Sequence, residues 1–123
     1  MTIDLLVADD DPEMRQMFQG IPLAGARIYT VEDGMQLVDE AKKRTFGIIF
    51  SDYKMPGMCG PEAVRRIRDS GLNQHTPIIM MTGEMGDDFE KAQKEAQKAG
   101  VNEVIRKPFL FLTIRYLVEE YAT

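Results

Sequence analysis

The sequence predicts an α/β fold in which helices cover both faces of a doubly wound, five-stranded parallel sheet. Five short apolar runs alternate with segments of helical periodicity along the chain. Most of these runs show no polar alternation, which is typical of strands buried on both faces of a parallel sheet. Right-handed crossover connections between such strands place helices on both faces. The runs cover Ile3 to Ala8, Arg27 to Val31, Gly47 to Ser51, Pro77 to Met81 and Val101 to Ile105.

The first two helices are predicted from their capping residues. Asp11 followed by Pro12 is typical of an N-cap with proline in the first helical position. This helix should be short, because Gly20 and Pro22 interrupt its pattern. Asp33 is the expected N-cap of the helix that follows the second strand.

The three remaining helices are predicted from breakers and periodicity. Gly60 followed by Pro61 indicates the start of the third helix. The fourth helix has acidic residues in its first turn, and Gly100 is placed to end it. The last helix follows Pro108 and should run to about Tyr121. The apolar stripe of the fourth helix consists of Phe89, Ala92, Ala96 and Ala99.

Size and composition restrict the class of protein. At 123 residues the chain has the size of one domain, and we predict a single domain over residues 1–123. The lone cysteine, Cys59, excludes an intramolecular disulfide and favours a reducing, cytoplasmic setting. No apolar run approaches the ~18 residues of a membrane span, and the first residues do not resemble a signal peptide. A net charge of −5 disfavours direct contact with nucleic acid or a membrane surface.

Polar side chains follow four of the five predicted strands. Asp9 and Asp10 come directly after the first strand, and Asp52 after the third. Thr82 follows the fourth strand and Lys107 the fifth. Because the carboxyl ends of parallel strands meet at one edge, where such sheets bind ligands, we expect these groups to lie together.

Carboxylates gathered in this way require a cation. Two unit charges ~4 Å apart repel by about 4 kcal/mol at an effective dielectric constant of 20. Oxygen ligands select a hard divalent ion, and a site with few protein ligands favours Mg²⁺ over Ca²⁺. With the metal bound, one carboxylate can attack phosphorus as a nucleophile. Thr82 and Lys107 would then hold phosphoryl oxygens.

Four motifs resemble the receiver domain of bacterial two-component response regulators, especially chemotaxis regulators. The resemblance covers nearly the whole chain. It implies a flavodoxin-like sheet with the strand order 2-1-3-4-5. The motifs are Leu-Leu-Val-Ala-Asp-Asp-Asp from residue 5, Ile-Ile-Phe-Ser-Asp-Tyr-Lys-Met-Pro-Gly from 48, Pro-Ile-Ile-Met-Met-Thr-Gly from 77 and Val-Ile-Arg-Lys-Pro-Phe from 104.

The resemblance also implies a role for each group at the strand ends. Asp52 would be the phosphoacceptor. Thr82 would be the switch hydroxyl, and Lys107 the lysine that a cis peptide bond to Pro108 aims into the site. The Mg²⁺ ligands would be Asp9, Asp10, Asp52 and the backbone carbonyl of Lys54, with Asp10 binding the ion directly.

A protein of this kind is a phosphoacceptor switch and not an enzyme, although it assists its own phosphorylation and dephosphorylation. The phosphoryl donor would be a phosphohistidine on a sensor histidine kinase or on a phosphotransfer protein. Phosphorylation would change the surface that binds a downstream target protein or effector domain, whose identity stays open. The receiver could stand alone or belong to a longer protein.

Four features depart from the family pattern or bear on the phosphorylated form and on partners. Val104 stands where the family often has an aromatic residue that swings inward, and the first helix is cut short. Lys54 and Glu84 flank the expected path of attacking water, which predicts slow hydrolysis of the phosphorylated form. The last helix has a predicted core stripe and further apolar residues that suggest a partner surface, with a homodimer as one candidate. The stripe is Phe111, Ile114, Val118 and Tyr121, and the further residues are Leu110, Leu112, Tyr116 and Leu117.

Three other functions use similar groups. A small Mg²⁺-dependent phosphohydrolase with an aspartyl nucleophile would need an Asp-x-Asp motif after the first strand and a cap over the substrate. A binding module of flavodoxin type would need a phosphate loop where this chain has three aspartates. A degenerate receiver used only for protein contacts would not need the complete set of site residues.

Overall fold

The computed structural model describes residues 2–122. The elements alternate strictly between strand and helix, as the sequence predicts. The strands are β1 (Ile3–Ala8), β2 (Ala26–Val31), β3 (Ile48–Asp52), β4 (Ile78–Thr82) and β5 (Glu103–Arg106). The helices are α1 (Pro12–Gly20), α2 (Gly34–Lys43), α3 (Gly60–Asp69), α4 (Gly86–Ala99) and α5 (Phe111–Ala122).

The five strands form one parallel sheet in the order β2-β1-β3-β4-β5, which confirms the predicted fold. β1 shows why the strands lack polar alternation. Leu5 and Val7 pack into a core with α1 and α5, whereas Leu6 and Ala8 pack into a second core with α2, α3 and α4. Both faces of β1 are therefore buried, and successive residues pack alternately into the two cores.

The predicted caps of the first helices are confirmed. The Asp11 carboxylate accepts a hydrogen bond from the backbone N–H of Glu13, and Asp33 accepts one from Gln36. α4 ends at Gly100, which adopts the left-handed backbone conformation with φ of 100°. Its N–H donates to carbonyl oxygens of α4, which satisfies groups that the last turn leaves unpaired.

β3 and β4 end one residue later than predicted, and β5 begins two residues later. The backbone N–H of Val101 donates to the carbonyl of Ala96 and so belongs to the end of α4. The side-chain oxygen of Asn102 accepts the N–H of Ile78. These contacts place residues 101 and 102 in the turn, and the ladder of β5 starts at Glu103.

The predicted core stripe of α5 is wrong in two places. Phe111 is 53% exposed, and Leu117 is buried beside Ile114 and Val118. Phe111 lies in the first turn of α5, where it lines an open groove with Ile21 and other residues at the end of α1. The core therefore takes its side chains from the later turns, and the first turn leaves its apolar side chains exposed.

In the part of the chain that the structure describes, no helix combines the length and the apolar character needed to cross a membrane.

Candidate functional site

The polar groups predicted at the strand ends meet at one edge of the sheet. β1 and β3 are neighbours, so Asp9, which follows β1, lies beside Asp52 at the end of β3. Carboxylate oxygens of Asp9, Asp10 and Asp52 all lie within 4.8 Å of one another. Asp9 and Asp52 are buried, whereas Asp10 is exposed and faces solvent. The site is therefore an acidic cleft with one open side.

Lys107 links the two buried carboxylates. Its Nζ lies 2.9 Å from Oδ2 of Asp9 and 3.1 Å from Oδ1 of Asp52. The Lys107–Pro108 peptide bond is cis, and the Lys107 N–H donates to the carbonyl of Thr82. The loop after β5 is thus anchored to β4 while its lysine reaches back to the ends of β1 and β3.

Burial and neighbouring charge change the acidity of this cluster. Burial and, after it, the charge of Asp9 raise the pKa of Asp52 to about 6, although the charge and hydrogen bond of Lys107 act to lower it. Burial alone would lower the pKa of Lys107. Its hydrogen bond to Asp9 and the charges of Asp52 and Asp9 outweigh burial, so the pKa of Lys107 is raised. The site therefore holds a charged ammonium and a carboxylate whose negative charge is poorly compensated.

Thr82 and Glu84 form the rim on the β4 side. The buried Thr82 hydroxyl accepts a hydrogen bond from the backbone N–H of Glu84, which leaves its own proton able to donate elsewhere. The carboxylate of Glu84 lies 2.7 Å from Nζ of Lys54. The two residues suggested as flanking the water path therefore form an ion pair between the loops that follow β3 and β4.

Three residues support the site in ways that the sequence analysis did not predict. Arg15 donates from its guanidinium to the backbone carbonyl of Asp9 at 2.8 Å and so braces the loop after β1. Tyr53 donates its backbone N–H to Asp52, and its hydroxyl donates to Glu95 of α4 at 2.8 Å. The position of Arg15 one turn into α1, four residues after the Asp run, is a signal that could have indicated its role.

Gly60 is the third of these residues. A Cβ at this position would collide with the backbone carbonyl of Asp52. α3 can approach the end of β3 only because its first residue has no side chain. The sequence indicated a helix start at Gly60, but the reason for the glycine is visible only in three dimensions.

Comparisons with known proteins agree with this geometry. A family model described as the response regulator receiver domain matches residues 5–119. Chemotaxis protein CheY-3 of Vibrio cholerae is 31% identical over 115 residues, which cover 90% of this chain and 85% of that protein. The transcriptional regulatory protein DctD of Pseudomonas aeruginosa, which is described as acting in C4-dicarboxylate transport, is 35% identical over 106 residues. The chain spans only 22% of the length of DctD.

Solved structures show the same fold. The chemotaxis response regulator CheY4 of Vibrio cholerae has a TM-score of 0.87 and 30% identity, and the match covers 98% of this chain and 99% of that one. The receiver domain of a sensor histidine kinase from Pseudomonas aeruginosa, solved with magnesium in its active site cleft, also has a TM-score of 0.87. At 24% identity that second likeness supports the fold alone.

The fold and the acidic cleft define a phosphoacceptor signalling module. The chain belongs to the response regulator receiver domain family of two-component signalling. Receiver domains are signalling domains and generally not enzymes, and they work with histidine kinases, phosphotransfer proteins and effector domains.

Proposed function

We propose that Asp52 is the phosphoacceptor of a single receiver domain over residues 1–123, acting in the cytoplasm. The observation that carries this assignment is the contact of Asp52 with Lys107 inside the carboxylate cluster. A free Oδ of Asp52 forms the bond to phosphorus as the phosphorus–nitrogen bond of a phosphohistidine breaks. The electron pair of that bond returns to the leaving imidazole. Lys107 and the Thr82 hydroxyl then stabilise the negative phosphoryl oxygens.

The residues present fit Mg²⁺. Asp9, Asp10 and Asp52 offer hard oxygen ligands within reach of one another, and the exposed side of Asp10 leaves room for water. The backbone carbonyl of Lys54 remains a predicted fourth ligand. Bound Mg²⁺ would neutralise charge between the carboxylates and the incoming phosphoryl group. The hydrogen bond from Arg15 to the backbone carbonyl of Asp9 would help to hold the metal-binding loop after β1 in position.

The experiment is incubation with acetyl phosphate and Mg²⁺ followed by intact mass measurement. We expect a gain of one phosphoryl group, and no gain when EDTA removes the metal. A phosphohydrolase would release inorganic phosphate continuously without a lasting adduct. A degenerate receiver would show neither product, and either of these results would contradict the proposal.

The Mg²⁺ assignment predicts a specific change in Asp10→Ala. The metal binds the folded site, so Mg²⁺ should raise the melting temperature of the wild type. Asp10→Ala should lose most of that rise, and its metal-free melting temperature should increase slightly because one repelling charge is gone. Thermal unfolding with EDTA or Mg²⁺ measures both effects. Asp39→Ala, which removes an exposed aspartate of α2, is the control. Equal responses to Mg²⁺ in all three proteins would refute the assignment.

The Lys54–Glu84 ion pair predicts slow loss of the phosphoryl group. An attacking water must displace an ordered side chain before it reaches the phosphorus in line. Both partners are near the surface, so we expect only a few-fold faster dephosphorylation in Lys54→Ala and in Glu84→Ala. The double variant should be no faster than either single variant, because each removes the same pair. Lys54, Glu84 and Lys91 line one opening at the surface. Lys91→Ala, which removes a lysine outside the ion pair, should lose the phosphoryl group at the rate of the wild type.

We also propose that Leu110 and the first two turns of α5 form a homodimer surface. Leu110, Leu112 and Tyr116 are exposed together with Phe111, and a patch of this kind usually marks an interaction site. Sedimentation with and without beryllium fluoride as a phosphoryl mimic should show dimers that Leu112→Glu prevents. Leu72→Glu, at an exposed leucine outside this patch, should leave them intact. Monomers in both states at high concentration would contradict this proposal.

A further inference from the structure

A second charged region lies away from the acidic cleft. Each of α2, α3 and α4 connects the carboxyl end of one strand to the amino end of the next, so their last turns lie at the edge opposite Asp52. Those last turns are basic in all three helices. The basic residues are Lys42 and Lys43 of α2, Arg66 and Arg68 of α3 and Lys98 of α4.

The structure gathers part of this charge in one opening, which we call the basic crevice. The basic crevice has a volume of about 410 Å³ and lies between α3 and the end of α4. Its lining consists of Arg65, Arg66, Arg68, Asp69 and Ala99. Three arginines and one aspartate meet here, although the chain as a whole has 15 basic and 20 acidic residues. The crevice therefore has the opposite sign to the protein.

Arg68 forms the rigid floor of the basic crevice. Its guanidinium donates hydrogen bonds to the carbonyl oxygens of Gly100, Asn73 and Gln74 and to the side-chain oxygen of Asn102, at 2.9–3.2 Å. All of these acceptors are neutral, and no ion pair of Arg68 occurs within residues 2–122. Arg68 is thus held in place while its positive charge remains uncompensated.

Arg65 and Arg66 form an exposed, weakly paired rim of the basic crevice. Both pair with Glu62, at nitrogen–oxygen distances of 3.7 and 4.0 Å, and all three side chains are about half exposed. Pairs this long and this exposed contribute little to stability, so a carboxylate from another molecule can replace Glu62 at little cost. Arg66 also lines a narrow opening between α2 and α3 with Lys42, which extends the positive surface beyond the crevice.

We propose that the basic crevice binds an acidic segment of a partner protein. Guanidinium groups pair with carboxylates through two parallel hydrogen bonds, and two exposed arginines beside a fixed one can pair with successive acidic side chains. A nucleic acid is the less suitable occupant, because a long polyanion would extend over a protein of net charge −5. The crevice lies at the edge of the domain opposite the cleft of Asp52, so its occupant and a phosphoryl group on Asp52 would not compete for the same space.

A titration followed by NMR chemical shifts tests the proposal. The probe is a blocked peptide of six glutamates, and the control peptide has six glutamines. We expect the glutamate peptide alone to shift the backbone signals of residues 62–69 and 98–102, with an effect that weakens as salt is raised. The double variant Arg65→Glu/Arg66→Glu should bind at least tenfold more weakly. Arg115→Glu, which reverses an exposed arginine on α5, should bind like the wild type.

The remaining outcomes are decisive as well. Both variants alter exposed side chains, and unchanged melting temperatures and acetyl phosphate labelling would confirm that they are folded. Shifts outside the basic crevice, or equal weakening by the double variant and by Arg115→Glu, would overturn the proposal. Tighter binding of a single-stranded oligonucleotide than of the glutamate peptide would overturn the choice of occupant. Self-association that the double variant abolishes would assign the crevice to a second copy of the chain.

Discussion

Replacing Asp52 with asparagine should abolish phosphoryl transfer from acetyl phosphate in the presence of Mg²⁺. Asparagine keeps the shape of the side chain but lacks the negative oxygen that attacks phosphorus. Asp52 is a buried carboxylate at the end of β3, and it contacts Lys107. A phosphoryl group at this position can also reach the hydroxyl of Thr82 at the end of β4. Intact mass measurement should therefore show a complete loss of the adduct and not a partial one.

The matched control for this variant is Asp39→Asn. It makes the same chemical change at an exposed position on α2 and should be phosphorylated like the wild type. A second comparison, Asp9→Asn, alters the other carboxylate that contacts Lys107 and should slow labelling through loss of the metal. If Asp52→Asn still gains one phosphoryl group, another residue is the acceptor and the assignment is wrong.

The second large effect concerns stability in the absence of metal. Burial and the charge of Asp9 raise the pKa of Asp52 from 3.8 to about 6, so ionised Asp52 costs free energy in the folded state. A difference of about two pKa units corresponds to roughly 3 kcal/mol. Asp52→Asn removes that cost and also removes one favourable contact of Lys107. We therefore expect the free energy of unfolding of Asp52→Asn to exceed that of the wild type by roughly 1–3 kcal/mol at pH 8 with EDTA. This corresponds to a rise of at least about 3 °C in melting temperature.

The sign of the pH dependence follows from the direction of the shift. Below pH 3.8 Asp52 is protonated in both folded and unfolded chains and imposes no cost. Between pH 3.8 and about 6 the folded chain holds the proton more tightly, so the contribution of Asp52 to stability falls as pH rises. The difference in free energy of unfolding between Asp52→Asn and the wild type should thus increase across this range and stay constant above pH 7.

Thermal unfolding at several pH values measures this difference. Asp39→Asn, which makes the same chemical change at an exposed side chain, is the control. Added Mg²⁺ should reduce the difference in melting temperature between Asp52→Asn and the wild type at pH 8. The metal offsets the repulsion between the carboxylates, and this repulsion involves Asp52 only when Asp52 is ionised. If the difference between the two proteins is independent of pH, or if Asp52→Asn is less stable than the wild type at pH 8, ionised Asp52 does not destabilise the metal-free fold and the explanation is wrong.

The central strands of the fold were the easiest elements to predict. Leu5 to Ala8, Ile48 to Phe50 and Ile78 to Met81 are apolar without interruption, which is the pattern of strands covered on both faces. The start of β5 was harder to predict, because Val101 is apolar but donates its N–H to α4. Hydropathy alone cannot separate a residue in a strand from one that closes the preceding helix.

α5 shows the same limit for helices. Its apolar residues occur on most faces, so periodicity allowed more than one core stripe. Packing against β1, β3 and α1 selected Ile114, Leu117 and Val118. Phe111 is left beyond the covered part of the sheet, in a groove with the end of α1. Where a helix carries surplus apolar residues, the neighbouring elements decide which of them are buried.

The sequence by itself determined which groups stand at the strand ends, because each follows directly on a buried strand whose direction is shared. It could not determine their protonation or their partners. Lys107 contacts Asp9 and Asp52 across 98 and 55 residues of chain, and these contacts depend on the path of the loop after β5. The raised pKa of Asp52 depends on burial and on the distance to Asp9. Spacing along the chain brings charges to the same edge of a sheet, but Coulomb energies and desolvation depend on distances of a few ångströms that only tertiary packing sets.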